Sequence, residues 1–595
     1  METNIAASSR RKSHRAFFAI LISVVFSVSY NFSRFRSWKP LEENSNSLHE
    51  SLVTDNKPKV AGLSCPAFPL LEQSQFEAAQ QELVYWRDIP DDSQLVSPYK
   101  CPSHGNQTRK FLTFEPDEGG WNNARMAAET AITMAIAMGR VLVLPPTTTM
   151  YLLWETTKTS KKTHFGFMDF FPLELLQDEL AGLEIMTFQE FLEQEVLTGH
   201  VLANPHTGEP LQPPGGKTKW DGSLNNWESG RQGNGQELWQ WWRSVATPLP
   251  WKYYECTAVF PKPSHECDGP TPWNAVTEVD EQRMRDYMQQ ILQQEPDGSP
   301  QPRIRSYDGN PTAVDASPLD RLAEIVADRR QLCIYDRNLQ EASVLHAMGQ
   351  QSESTTRFLV HFYAFVFMED WRHDIWLKRL VRDHLRYVDE IQCAASRIVA
   401  SLHEKAYNAE TNPEGLYHSM HVRRGDFQRA YVQVVIPGEA LYEEHVKDVF
   451  EEKSTIYIAT DEKDATYFAP LAQHYNLFFM RDFMHLLEDV NPNYFGMIDQ
   501  VVASTGQVFI GTYLSTFSGY INRLRGYRTR KNNPKEITTG NLRSFYYYGI
   551  PEYADKKKLM QRYHSVEQAF WTHEFPVGWR DLDHGVTNVL DRRRI

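Results

Sequence analysis

The chain has 595 residues, of which 41% are hydrophobic and 23% charged. That composition excludes a disordered or collagen-like polymer, and the length predicts more than one core, since single cores stop growing at roughly 250 to 300 residues. With 62 Lys and Arg against 76 Asp and Glu, the net charge of −14 excludes broad adhesion to nucleic acid and leaves room for a small basic pocket. The amino terminus departs from this balance, carrying Arg10, Arg11, Lys12, Arg15, Arg34 and Arg36 against Glu2 alone. Between the basic groups Ala16 to Phe32 is uncharged and just long enough to span a bilayer. We read residues 1–15 as a cytoplasmic tail, 16–32 as a signal anchor and 33–60 as a polar stem. A cleaved signal peptide, with Ser27 and Ser29 near its cleavage site, is the alternative. Flanking charges alone do not orient the segment, because Arg34, Arg36 and Lys39 balance the other side. Orientation is drawn from the rest of the chain. Asn106-Gln107-Thr108 is an N-glycan acceptor triplet. The 6 cysteines lack a C-x-x-C pair and suit either buried thiols or disulfides, Cys65 with Cys101 and Cys256 with Cys267 being the pairs that would staple local segments. These features together predict a single-pass type II membrane protein of the Golgi or endoplasmic reticulum with a lumenal carboxyl portion.

Along the chain, Phe111 to Phe114 reads as a strand, 115–123 as a turn-rich loop, Arg125 to Met138 as a helix ending at Gly139, and Val141 to Leu144 as a second strand. This is a βαβ unit. From about 199 to 320 the text is loop-like, an insertion in which Trp239, Trp241 and Trp242 read as a local core in preference to a sugar-stacking face. From Phe358 to about Ala406 apolar residues recur at helical spacing, with Glu369 to Asp374 as a solvated face. Leu416 to Val422, Thr455 to Ala459 and Gln507 to Ile510 are short apolar strands separated by helical patterns at Leu441 to Phe450 and Tyr494 to Ala503, which predicts a parallel sheet. The expected fold class is α/β with two Rossmann-like units, 61–350 and 351–540, followed by an extension over 541–595. No short-period repeat is present.

Chemistry concentrates where strands end. His421-Val422-Arg423-Arg424-Gly425-Asp426 lies at the carboxyl end of a strand, the place where open α/β sheets present a ligand crevice. An arginine fork there can hold a diphosphate bidentately and take up charge as it leaves; a structural arginine cluster paired with Asp426 is the competing reading. Asp461 ends the next strand, where a carboxylate can accept from the N–H groups of guanine or stand as an exposed turn residue. Ser515-Thr516-Phe517-Ser518 opens a helix, so hydroxyls and free N–H groups can converge on phosphate, though ordinary capping explains Ser518 equally well.

Taken in order, Gly119-Gly120-Trp121-Asn122-Asn123-Ala124-Arg125, the His421 to Phe427 motif and Ser515 to Ser518 resemble the GDP-fucose protein O-fucosyltransferase family and its plant and fungal relatives, over most of residues 105 to 535. The resemblance implies a GT-B fold, two Rossmann-like domains facing a cleft, with GDP-fucose held by the second half and a protein or glycan acceptor between the halves. It implies an inverting transfer with no cofactor and no metal. It makes Arg423 the catalytic diphosphate contact, puts His421 and Asp461 near the guanosine, and completes the donor pocket with Ser515, Thr516, Phe517 and Ser518. Arg424 either contacts phosphate or pairs with Asp426. Gly119, Gly120 and Asn122 match a loop facing the reacting sugar, where side chains would obstruct the donor or acceptor.

Some family members carry a glutamate directly before the Gly-aromatic-Asn segment as general base. Here Gly119 fills that register, so Glu118 is the candidate base, Asp117 its rival, and a reaction in which the departing phosphate takes the proton the third possibility. The one D-x-D triplet, Asp581 to Asp583, lies in a polar tail, which agrees with the absence of a metal requirement. A catalytically inactive nucleotide-sugar- or carbohydrate-binding protein of the same fold is the alternative function, supported by the displaced glutamate. A nucleotide-dependent oxidoreductase is disfavoured because no G-x-G-x-x-G follows a strand.

Overall fold

A computed structural model describes residues 62–87, 90–100, 109–117, 119–151, 153, 162, 164–202, 208–216, 234–253, 255–264, 276–293, 317–326, 329, 331–349, 365–431, 435–532 and 543–547. The expected anchor (16–32), the stem, the Asn106 triplet, Glu118 and the Asp581 triplet fall outside these residues. Among the described residues, no helix is long and apolar enough to cross a membrane.

Among the described residues, twelve strands form three parallel sheets. The first contains β1 (Phe111–Phe114), β2 (Val141–Leu144), β3 (Ile185–Thr187) and β6 (Val344–Ala347) in the order β3-β2-β1-β6. β1, β2 and β6 are buried along their whole length, which is why they read as unbroken apolar runs and not as alternating ones. The helix Trp121–Met138 joins β1 to β2 and starts four residues earlier than its Ala-rich pattern suggests, because Gly120 caps it. It stops at Gly139, whose φ of 66° is a left-handed conformation that glycine adopts without penalty.

The expected loop-like insertion supplies the central strand of a third sheet. β4 (Cys256–Phe260) lies between β5 (Gln331–Ile334) and β7 (Val366–Met368). β7 replaces the start of the expected long helix and sits beyond residue 350, paired through Ala258 with Val366. Within the same region the helix Asn234–Val245 buries Trp239, Trp241 and Trp242 against Phe188 and Phe191, a local core. The expected solvated face is also corrected. Glu369 is buried and accepts from Arg283 Nε at 2.7 Å and from the Lys262 N–H at 2.7 Å, while Asp374 is buried and accepts from the Met368 N–H at 3.2 Å. The sequence looks solvated because Glu369 finds its partners on distant segments, 86 and 107 residues away.

The second large sheet contains β8 (His418–Val422), β9 (Thr455–Thr460), β10 (Asn476–Phe479), β11 (Phe509–Thr512) and β12 (Ser544–Tyr547) in the order β10-β9-β8-β11-β12. β12 comes from the expected carboxyl extension and pairs with β11 from Phe509↔Ser544 to Thr512↔Tyr547. Helices Asp389–Ala406, Phe495–Ala503 and Thr516–Asn532 carry the apolar faces that pack beneath it.

Both local disulfide expectations are overturned for the described cysteines. Cys65 pairs with Cys393, 328 residues away, and Cys256 with Cys333, 77 residues away. The first bond ties the amino-terminal segment to the helix Asp389–Ala406, and the second joins neighbouring strands β4 and β5. Sequence proximity misleads because folding sets the distances between the sulfurs.

A polar seam links the two large sheets' helices. Arg125 and Arg523 share Glu129, at 2.5 Å and 2.8 Å, with all three side chains essentially inaccessible, and the Arg125 guanidinium lies 3.6 Å from the Tyr520 ring centroid. Beside this triad Trp121 Nε1 donates to Tyr387 Oη (3.0 Å), Tyr387 donates to Gln500 Oε1 (2.7 Å), and Gln500 Nε2 donates to Asn122 Oδ1 (2.7 Å).

Candidate active site

The site grows from the carboxyl edge of β8. Central position between β9 and β11 buries His421 and directs the chain past Val422 into a tight turn carrying Arg423 and Arg424. Two neighbours fix that turn. Thr512 Oγ1 accepts from the Arg423 N–H at 2.8 Å, and Asp461 Oδ1 accepts from the Arg424 N–H at 2.7 Å. Gly425 makes the second contact possible, because a Cβ there would come within 2.3 Å of Asp461 Oδ2.

The two guanidinium groups then separate. Arg423 Nη2 donates to Asp426 Oδ1 at 2.6 Å, and its Nη1 lies 3.0 Å from Asp461 Oδ2. Arg424 Nε donates to Glu462 Oε2 at 2.6 Å, Nη1 donates to the Ile436 carbonyl at 3.2 Å, and the group lies 3.8 Å from the Tyr467 ring centroid. The expected option of an Arg424–Asp426 pair is therefore corrected: Asp426 sits three residues after Arg423, on its side of the turn, while Arg424 points to the residues after β9. Each arginine side chain keeps 19% of its surface open to solvent, so an anion can reach them.

Beneath the arginines, His421 Nδ1 lies 2.7 Å from Ser518 Oγ and the imidazole stacks on Phe517 with centroids 4.4 Å apart. Burial pushes its pKa well below the ordinary value, and the Arg423 charge pushes the same way; His421 is a neutral wall of the site. The loop from β11 reaches the helix Thr516–Asn532 through Leu514, whose φ of 65° is left-handed without being glycine. Such strain is held only where surrounding structure imposes it. It delivers Ser515 and Thr516 to the start of a 17-residue helix, where unpaired N–H groups and the helix dipole favour an anion.

From the first half of the chain, Gly119 donates its N–H to Asp117 Oδ1 at 2.7 Å, which occupies one of the two carboxylates considered as base. Gly120 bridges to Tyr151. Tyr151, 45% exposed, donates from its hydroxyl to Asp426 Oδ2 at 3.4 Å, so the glycine segment and the arginine turn meet. Asn122 is not part of that meeting, being buried on Gln500. Glu115, at the end of β1, is equally unavailable as a base. Burial pushes its carboxyl up, but hydrogen bonds from His346, the Gly349 N–H and Arg243 outweigh this and bring it to about 2. Among the described residues no group of three or more His, Cys, Asp or Glu is arranged to hold a metal ion.

The structure thus gathers His421, Arg423, Arg424, Asp461, Phe517 and Ser518, and brings Gly120 to them through Tyr151. Sequence reasoning missed Glu462, Thr512 and Tyr151. Glu462 was legible as the neighbour of Asp461; Tyr151 carried no signal, since only tertiary folding sets it opposite Asp426.

A family model described as GDP-fucose protein O-fucosyltransferase matches residues 111–528, from β1 into the last long helix. No curated protein matches the chain. Similar solved structures include POFUT1 in complex with GDP-fucose (12% identity, covering 77% of this chain and 100% of that one, TM-score 0.30). Others are the NodZ alpha-1,6-fucosyltransferase soaked with GDP-fucose (13%, 70% and 92%, 0.27) and a mutant of Arabidopsis thaliana FUT1 in complex with GDP (9%, 76% and 73%, 0.28).

Proposed function

Since the chain belongs to the GDP-fucose protein O-fucosyltransferase family and is a GDP-fucose-dependent fucosyltransferase, we propose that it transfers fucose with inversion and without a metal to a hydroxyl of a protein Ser or Thr or of a glycan. In this reading the acceptor oxygen attacks the anomeric carbon as the bond to the β-phosphate oxygen breaks, and GDP departs with the electron pair. Arg423 takes up the charge developing on the diphosphate. Arg424 holds the turn from which Arg423 projects, and Ser515, Thr516 and the helix N-terminus add donors to the phosphates. His421 and Phe517 wall the guanosine side, with Asp461 positioned at that edge. The observation that carries the reading is the partly solvent-open Arg423 at the end of a central strand, its backbone N–H held by Thr512 and its guanidinium by Asp461.

Gly119 and Gly120 let donor and acceptor approach the backbone. The acceptor proton goes to Glu118, to Asp117 after release from Gly119, or to the departing phosphate; full turnover by Glu118→Gln would remove the first. The same reading assigns a GT-B arrangement, with a signal anchor at 16–32 and a lumenal fold in the Golgi or endoplasmic reticulum, which the Cys65–Cys393 and Cys256–Cys333 bonds support because disulfides persist in oxidising compartments.

Calorimetry with GDP, GDP-fucose, GDP-mannose and UDP-glucose tests donor choice, and Arg423→Ala should lose both GDP affinity and turnover. Retention of both in a well-folded variant would end this assignment. Undiminished turnover in a chelator is expected; manganese-dependent rescue of a chelated enzyme would contradict metal independence.

A further inference from the structure

Arg423 faces two carboxylates that differ in how firmly they are held. Asp461 is fixed: one oxygen accepts from the Arg424 N–H at 2.7 Å, the other lies 3.0 Å from Arg423 Nη1, and Gly425 packs against it so closely that no Cβ fits. Asp426 is exchangeable. Its side chain is 43% exposed, one oxygen accepts from Arg423 Nη2 at 2.6 Å, and the other accepts from the Tyr151 hydroxyl at 3.4 Å. An ion pair this open to water is weakly held, whereas a diphosphate offers the guanidinium a bidentate partner.

We propose that Asp426 is a positioning residue that occupies the Arg423 fork in place of the donor diphosphate, and that Tyr151 pins it there from the first half of the chain. The inference rests on the reading of Arg423 as the diphosphate contact. Before the donor arrives, Asp426 keeps the guanidinium oriented and neutralised at the mouth of the sheet. When the diphosphate displaces it, Asp426 leaves the fork and its link to Tyr151 breaks. Because Tyr151 is bridged to Gly120, donor occupancy is thereby communicated to the glycine segment on the acceptor side. The electrostatics have a definite sign: Asp426 competes with an anion for a cation, so removing its charge strengthens nucleotide binding, the reverse of what loss of a scaffold residue would do.

The test is GDP affinity of the full-length protein by calorimetry for wild type, Asp426→Asn, Tyr151→Phe, Arg423→Ala and the Arg423→Ala/Asp426→Asn double variant, with thermal melting to confirm folding. Asp426→Asn should bind GDP about two- to fivefold more tightly, and Tyr151→Phe should shift affinity the same way by less. The gain from Asp426→Asn should vanish when Arg423 is already alanine, since the competition acts through that guanidinium. Unchanged or weaker GDP binding by Asp426→Asn, or a gain that persists without Arg423 and so reflects simple repulsion, overturns the proposal. If Asp426→Asn does not fold, Tyr151→Phe decides alone, and unchanged or weaker binding by it overturns the proposal. GDP affinity unmoved by Arg423→Ala would instead bring down the diphosphate reading itself.

Discussion

Two arginine clusters in this chain obey opposite rules. In the seam, Arg125 and Arg523 close on Glu129 with virtually no solvent contact. At the edge of β8, Arg423 and Arg424 are each 19% open and rest on carboxylates that water also reaches. A fully buried guanidinium cannot change partners without leaving an uncompensated charge, so its anion is structural. A partly open one can exchange its anion for a ligand's. Charge type alone does not separate scaffold from site; the freedom to swap partners does.

That contrast breaks first at Glu129. Glu129→Gln strands two buried cations and should lower unfolding free energy by about 3 to 5 kcal/mol in a denaturant titration; a loss below about 1 kcal/mol would mean the triad does not hold the seam. The complementary variant is Arg423→Ala, expected to cut kcat/KM by roughly a hundred- to a thousandfold while leaving the melting temperature within a few degrees. Substitution by lysine should not restore the rate, since an ammonium lacks the fork. A melting loss as large as that of Glu129→Gln would place Arg423 with the scaffold instead. Gly425→Ala sharpens the point, because its methyl would push Asp461 off both arginine contacts. It should weaken GDP binding and cost about 1 to 3 kcal/mol of stability, readable by calorimetry alongside melting; wild-type GDP affinity would show that the turn tolerates Asp461 moving.

The last expected effect is on pH. Burial pushes His418 down to about 4 from 6.5, and His421 well below 6.5. Both prefer to be neutral in the fold, so the unfolded chain binds their protons first. Their contribution to stability is therefore intact above pH 6.5 and declines as pH falls below it, through the depressed folded values, while buried Asp499, raised to about 7, works in the opposite direction. Melting curves from pH 7 to 4 should lose more stability in the wild type than in His418→Gln. Equal slopes for the wild type and His418→Gln would show that the His418 imidazole is not held neutral.

The sheets were readable where strands are buried on both faces: Phe111–Phe114, Val141–Leu144 and Thr455–Thr460 stand out as short apolar runs between turns. The arginine turn was readable for a related reason, since charged residues directly after such a run must face the sheet's edge. β4, β5 and β7 were hidden because their pairing joins segments separated by polar and proline-rich text, so no local pattern announces a sheet. Asn122 shows the limit of motif reading. Its place beside two glycines suggested a loop facing substrate, yet the helix that Gly120 caps turns the amide inward onto Gln500. Tyr151 shows the converse, an unremarkable residue given its position by strands and helices far away in sequence.

The Cys65–Cys393 bond has a topological effect apart from any stabilisation. It closes a covalent ring through 328 positions of chain, so a protease that nicks the backbone anywhere inside the ring yields fragments that still migrate as one molecule. Only a reducing gel would reveal the cut, and a chain clipped once inside the ring would keep its two pieces tethered for as long as the bond stays oxidised.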